Sequence, residues 1–293
     1  MSYLNFLRET AEKAGNVVCM GLDPVMDYLP ARLGYRIDEI IPNFFEKLFD
    51  VMSNRYLKPA AFKPNQGYFI KHDVPLQGDF SGSHALSKTI KLCREYFPHT
   101  PIILDYKRGD ITTSSKNYAK EGFERWVVDA VTISPYMGGD SISPFLEYTA
   151  KGQGTYILNR TSNPGGKDFQ DLILQDGKPL YLAVGKKIIE WSVKYPGTGA
   201  VVGATSIHEL KVLAELYAPH NIPLLIPGIG SQGGSAKQVM SVLKKAKYDT
   251  RLARINSSSG ITHPWKKSGH IPENWESVCA DELEALIGDC TIA

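Results

Sequence analysis

The sequence lacks long apolar runs, blocks of like charge and closely spaced cysteines, and each absence removes a class of protein. No stretch approaches the roughly 20 apolar residues of a membrane-spanning helix. The N-terminal residues 1–15 lack the continuous apolar core of a signal peptide, because Arg8, Glu9, Glu12 and Lys13 interrupt it. Its four cysteines, Cys19, Cys93, Cys279 and Cys290, are far apart and form no Cys-x-x-Cys. Together these features lead to the expectation of a cytoplasmic protein with reduced, mostly buried thiols and no membrane partner. Basic residues never cluster beyond pairs such as Lys186-Lys187, Lys244-Lys245 and Lys266-Lys267, and the formal net charge is only +2. That balance argues against a nucleic-acid-binding surface. The seven histidines are scattered and suggest no metal set, and no serine or cysteine has an evident partner base. No Gly-x-Gly-x-x-Gly follows the first apolar run, which disfavours an open dinucleotide-binding sheet.

What is present is an alternation. Short apolar runs at 16–24, 59–65, 102–108, 129–134, 154–159, 199–204, 222–227 and 251–256 are rich in β-branched residues or alanine and read as strands. Between them lie helical patterns at about 37–54, 84–96, 112–122, 143–150, 180–194, 206–217 and 235–245. Leu4, Leu7, Ala11 and Ala14 recur at helical spacing before the first run, and a further helix is expected near 275–287. Alternation of this kind implies a parallel sheet, and eight strands close a barrel. The expectation is an α/β fold, a (β/α)8 TIM barrel, as a single domain over 1–293 with extra N- and C-terminal helices. The irregular stretch at 162–178 is long for an idle loop and reads as functional.

In such a barrel the carboxyl ends of the strands share one face, where active sites sit. Strand one then contributes Asp23, and strand two Lys63 and Asn65. Strand three contributes Asp105 and Lys107, which share a side because they are two apart, with Asp110 just beyond the turn. Asp105, Lys107 and Asp110 alone could be an ion pair closing a strand-to-helix turn. With Lys63 added they become two amines and two carboxylates converging in a pocket, where opposite charges hold each other ionised. Strand five brings Asn159, Thr161 and Ser162. Strand seven opens into Pro227-Gly228-Ile229-Gly230-Ser231-Gln232-Gly233-Gly234, and strand eight into Asn256-Ser257-Ser258-Ser259-Gly260. Loops after strands seven and eight are where a barrel of this type binds phosphate through backbone N–H groups. The glycines alone could equally make a tight turn. A charged, phosphate-anchored pocket without an evident nucleophile suits proton transfer at carbon with electrostatic stabilisation.

These residues resemble the orotidine 5′-phosphate decarboxylase family, specifically its longer bacterial type. The resemblance rests on Gly21-Leu22-Asp23-Pro24, Phe62-Lys63-Pro64-Asn65, Asp105-Tyr106-Lys107-Arg108-Gly109-Asp110-Ile111, Thr161-Ser162-Asn163-Pro164-Gly165, Val202-Gly203-Ala204-Thr205 and Pro227 to Gly234, in the family's order. It implies loss of CO2 from orotidine 5′-phosphate to give uridine 5′-phosphate, with no metal or organic cofactor. Lys107 would be the proton donor to C6, Asp105 would lie against the substrate carboxylate, and Lys63 would bridge the ribose and the charged network. Asp23 and Asn65 would hold ribose hydroxyls or the network's edge. Ile111, Thr161, Ser162 and Pro227 would meet the substrate, Thr161 or Ser162 at the ring, and Gln232 would link base and phosphate. Phosphate contacts would come from Gly228, Gly230, Gln232, Gly233, Asn256, Ser257 and Ser258. Asp110 would reach the neighbouring subunit's site, making the active species a homodimer. The family commonly carries a phosphate-contacting arginine at the end of strand eight, and here Asn256 to Gly260 has none. Arg251, Arg254 and Arg160 are the alternative suppliers. Two other readings compete: a sister barrel using a Mg²⁺-stabilised enediolate, and a non-catalytic nucleotide-phosphate binder.

Overall fold

The computed structural model describes residues 1–230 and 233–292. Eight parallel strands form one sheet: β1 (Val18–Leu22), β2 (Ala61–Pro64), β3 (Ile103–Arg108), β4 (Ala130–Ile133), β5 (Gly154–Arg160), β6 (Thr198–Val202), β7 (Leu224–Ile226) and β8 (Ala253–Ser257). The ladder runs β2-β1-β8-β7-β6-β5-β4-β3. Two parallel bridges, Phe62 with Ile102 and Asn65 with Asp105, bring its ends together. Seven of the eight strands are wholly buried or interrupted at a single residue. That is why they read as continuous apolar runs rather than alternating ones. This is the (β/α)8 barrel that the alternation implies.

The long helices also stand where the periodicity places them, among them Ile37–Asn54, Leu180–Lys194 and Trp275–Asp289. Boundaries differ by a few residues in several elements, and two of the differences have a plain physical reason. The helix expected from 143 begins at Gly139, with Pro144 in its interior. Proline cannot donate to the Asp140 carbonyl, and the Ser143 hydroxyl does so instead at 3.2 Å. The eighth strand starts two residues later than its pattern suggests, because 250–252 form a short turn. In that turn Arg251 pairs with Asp249 at 2.8 Å and Glu12 at 2.7 Å.

The two terminal helices pack at different places, the first under the barrel floor and the last on the outer helical layer. Tyr3–Ala14 buries Tyr3, Leu7, Thr10 and Ala11. Behind them Arg254 is fully buried on β8, donating to the carbonyls of Ala60, Arg251, Ala253 and Leu7 and to the Thr10 hydroxyl. The helix Trp275–Asp289 packs on Ile37–Asn54, with Trp275 stacked on Phe44 at 4.7 Å between ring centres.

Candidate active site

The carboxyl ends of the strands open on a cavity of about 650 Å³. Its polar centre is Asp105, 6% exposed, which accepts three hydrogen bonds. Lys63 donates to Oδ2 at 2.9 Å, Lys107 to Oδ1 at 2.6 Å and the Thr132 hydroxyl to Oδ1 at 2.8 Å. Lys63 and Asp105 face each other across the β2–β3 seam, where backbone pairing is limited to the two bridges. Burial by itself would raise the pKa of Asp105, but the ammonium groups of Lys63 and Lys107 outweigh it and hold the carboxyl well below the usual carboxylate range. Burial likewise opposes the charge on Lys63, and Asp105 together with Asp23 overcomes it, raising Lys63 above the ordinary lysine value.

Lys107 is different. Its side chain is 48% exposed. Its backbone sits at φ 44°, a left-handed conformation that a lysine rarely adopts. The β3–β4 register shifts between Leu104 and Arg108, so Lys107 lies on a bulge. Bulges re-aim side chains, and strained residues of this kind cluster at functional sites. The Lys107 N–H donates to the Thr132 hydroxyl at 3.1 Å, so one hydroxyl fixes both the bulge and the carboxylate. Arg108, next in the chain, turns away to Gln66 at 2.9 Å and Glu121 at 3.1 Å and lies over the Tyr106 and Tyr118 rings.

Several sequence-predicted residues line this cavity: Asp23, Lys63, Asn65, Asp105, Lys107, Thr161, Ser162, Pro227, Gly228, Asn256 and Ser258. Asp23 Oδ1 and Asn256 Oδ1 are buried without a hydrogen-bond partner among the described residues, which leaves two acceptors for donors on a ligand. The Thr161 hydroxyl is already engaged by Asn163 at 2.6 Å and Gln170 at 2.9 Å. Gly21 and Gly203 provide close approach: a Cβ on the first would lie 1.9 Å from Ser258 Oγ, and on the second 2.8 Å from the Ser162 backbone.

Other expected residues lie elsewhere. Asp110, Ile111, Gly230, Gly233 and Ser257 are outside the lining. Asp110 is partly exposed, its carboxylate accepting from the Ile111 N–H at 2.7 Å. Gln232 lies outside the described residues. The three arginines considered for the phosphate are outside the lining and committed within the protein, Arg251 to Asp249 and Glu12. Arg254 is at the opposite end of the barrel, and Arg160 is 2% exposed, holding the 162–178 loop through Asp171 at 3.2 Å and the Thr161 carbonyl at 3.0 Å.

Sequence reasoning passed over Thr132 and Lys266, which also line the cavity. Thr132 had a legible signal: it is the one polar residue in the run Ala130-Val131-Thr132-Ile133 at a strand's carboxyl end. Lys266 had none beyond its pairing with Lys267.

A profile described as the orotidine 5′-phosphate decarboxylase / HUMPS family matches residues 18–264. An orotidine 5′-phosphate decarboxylase from Bordetella avium is 36% identical over 287 residues, covering 98% of this chain and 97% of the relative. Among solved structures, Leishmania donovani OMP decarboxylase matches with a TM-score of 0.71 and 29% identity, covering 98% of this chain and 99% of the other. Leishmania donovani UMP synthase matches at 0.74 and 30% identity, with 98% of this chain covering 56% of that longer one.

Proposed function

The chain belongs to the orotidine 5′-phosphate decarboxylase / HUMPS family, and we propose that residues 1–293 form one catalytic domain in which Lys107 protonates C6 of the pyrimidine as CO2 leaves. Membership makes it a decarboxylase of pyrimidine biosynthesis, turning orotidine 5′-phosphate into uridine 5′-phosphate. The observation that carries the residue roles is the Lys63–Asp105–Lys107 array on the cavity wall.

In this reading the bond between C6 and the carboxylate breaks, its electron pair stays on C6, and CO2 departs. The proton comes from the Lys107 ammonium, which solvent then recharges. The ring delocalises the developing charge poorly, so a preorganised ammonium is the main source of stabilisation. Each tenfold in rate needs about 1.4 kcal/mol of such differential binding. Asp105 positions the Lys107 ammonium through their 2.6 Å ion pair and faces the departing carboxylate. Lys63, Asp23 and Asn65 receive the ribose, Asp23 through its unpartnered oxygen. Thr161 and Ser162 meet the base. Gly228, Asn256 and Ser258 lie toward the phosphate, with Gln232 reaching between base and phosphate.

A homodimer fits the same surface. Leu76, Phe80, Ile111, Tyr136 and Met137 are exposed on segments that follow the neighbouring strands β2, β3 and β4. A second copy covering that rim would bring Asp110, which lies outside its own cavity, against the partner's site. A sedimentation coefficient of a monomer at assay concentration would refute this. No helix among the described residues is long and apolar enough to cross a membrane. The role in nucleotide biosynthesis and the four free cysteines support a cytoplasmic enzyme.

The test is spectrophotometric loss of orotidine 5′-phosphate with and without EDTA. Turnover that survives EDTA and disappears in Lys107→Ala, with uridine 5′-phosphate still bound, is the expected result. A Lys107→Ala enzyme that keeps wild-type turnover would remove the assigned proton donor. Inhibition by EDTA would favour the Mg²⁺-dependent reading.

A further inference from the structure

The phosphate of the proposed substrate would lie toward the ends of β7 and β8, and the arginines nearest in sequence do not reach it. Arg251 pairs with Asp249 and Glu12, Arg254 spends its donors on carbonyls beneath the N-terminal helix, and Arg160, after β5, is held by the Thr161 carbonyl and Asp171. Lys63 and Lys107 both bond Asp105, on the β2–β3 side of the barrel mouth. Barrel order sets that side across from β7.

One more cation lines the cavity. Lys266 sits on the short turn Pro264–Lys267, which follows β8 through the helix Ser259–Thr262. The turn is pinned from beneath. Trp265 is 5% exposed, and its indole N–H donates to the Tyr28 carbonyl at 3.0 Å. Lys266 itself is exposed, with Nζ 5.7 Å from the centre of the Tyr28 ring. Among the described residues it has no carboxylate partner. Without it, the charged groups of the wall are Lys63 and Lys107 against Asp23 and Asp105, and they balance. A phosphate monoester carrying about −1.5 to −2 charges would then meet a neutral wall. Lys266 makes the wall positive on the side reached from β8.

We propose that Lys266 is the phosphate-binding cation of this chain, acting with the Ser258 and Ser259 hydroxyls at a strand end that has no arginine. The assignment rests on the functional reading above and deepens it. A lysine there is a point charge on a flexible stem, not a planar fork. It therefore follows the phosphate as a screened, salt-sensitive contact.

The test compares wild type with Lys266→Ala, Lys266→Arg and Lys267→Ala. Measured are kcat/KM for orotidine 5′-phosphate and the inhibition constants of uridine 5′-phosphate and uridine. Lys266→Ala should lower kcat/KM and weaken uridine 5′-phosphate by roughly tenfold, as expected for one charge-assisted hydrogen bond. Uridine, which has no phosphate, should bind as it does to wild type. Lys266→Arg should recover most of the loss, and Lys267→Ala, outside the cavity, should show none. The assignment is overturned if Lys266→Ala stays within about twofold of wild type, or if uridine weakens in parallel with the nucleotide. A wild-type protein that does not consume orotidine 5′-phosphate would instead overturn the functional reading. The ratio of nucleotide to nucleoside affinity would still decide the role of Lys266.

Discussion

Replacing Asp105 by Asn should destabilise the protein, and the pH dependence of the loss should identify its cause. Asp105 ties three groups: Lys63 at 2.9 Å, Lys107 at 2.6 Å and Thr132 at 2.8 Å. Lys107 is half exposed and can turn into water, whereas Lys63 is 3% exposed and cannot. Asparagine preserves volume and an acceptor but leaves Lys63 charged, buried and facing only Asp23. Breaking a buried pair from one side costs about 3–5 kcal/mol. The retained acceptor and Asp23 place Asp105→Asn near the lower figure, a fall of roughly 5 °C in Tm for a chain of this size. In the wild type the folded pKa of Lys63 lies above its unfolded value of 10.5. Its contribution is therefore fully present below that pH and is lost only as pH rises through the folded value. In the variant, burial pulls the folded pKa down, so the unfolded chain binds the proton more tightly and stability rises with pH up to about 10.5. Scanning calorimetry at fixed protein concentration, from pH 7 to pH 10, should show the gap to wild type narrowing. A gap that stays constant, or an Asp105→Asn protein within about 1 kcal/mol of wild type at pH 7, would refute the account of the seam.

Two further outcomes follow from single groups. Thr132→Val keeps shape but removes the hydroxyl that holds both the Lys107 bulge and Asp105; kcat/KM for orotidine 5′-phosphate should fall roughly ten- to a hundredfold through misplacement of the ammonium. Unchanged kinetics would show that the bulge is held without it. His263 is buried beside Phe44, Tyr28 and Trp265 and accepts from the Val25 N–H at 3.3 Å, and burial lowers its pKa from 6.5 to about 4. The unfolded chain thus takes this proton first. Stability that His263 contributes above pH 6.5 is lost progressively down to about pH 4, about 3 kcal/mol in all. Urea midpoints at pH 7.5 and 4.5 should show a clearly smaller acid loss in His263→Gln, and equal losses would exclude His263 as the source.

Where a residue's role depends on its own strand, the sequence is a good guide. Asp105, Lys63, Asn65 and Asp23 fall at strand ends by simple alternation, and the burial of each strand explains the apolar run that marks it. Legibility fails where side-chain direction depends on partners far along the chain. Arg254 shares its face with Asn256, yet its place two residues deeper sets it against the N-terminal helix. Lys107 owes its exposure to a bulge that only the β4 pairing creates. Lys266 comes to the cavity because Trp265 docks on the Tyr28 carbonyl, a contact between opposite ends of the chain. No local pattern encodes such a contact.

Two of the cations buried in the barrel, Arg254 and Lys63, show why one end is a site and the other is not. Arg254 is surrounded by neutral carbonyls, and its Nε, Nη1 and Nη2 all donate to protein acceptors, so nothing there is left to recognise a ligand. Lys63 is balanced by a carboxylate that also serves a half-exposed lysine, and the cavity around it keeps acceptors on Asp23 and Asn256 that have no partner among the described residues. A buried acceptor without a partner costs about 1–3 kcal/mol, which a ligand hydroxyl returns on binding. The upper network is thus stable enough to stay charged and incomplete enough to bind. The lower one is complete and serves only to hold the N-terminal helix across the barrel floor.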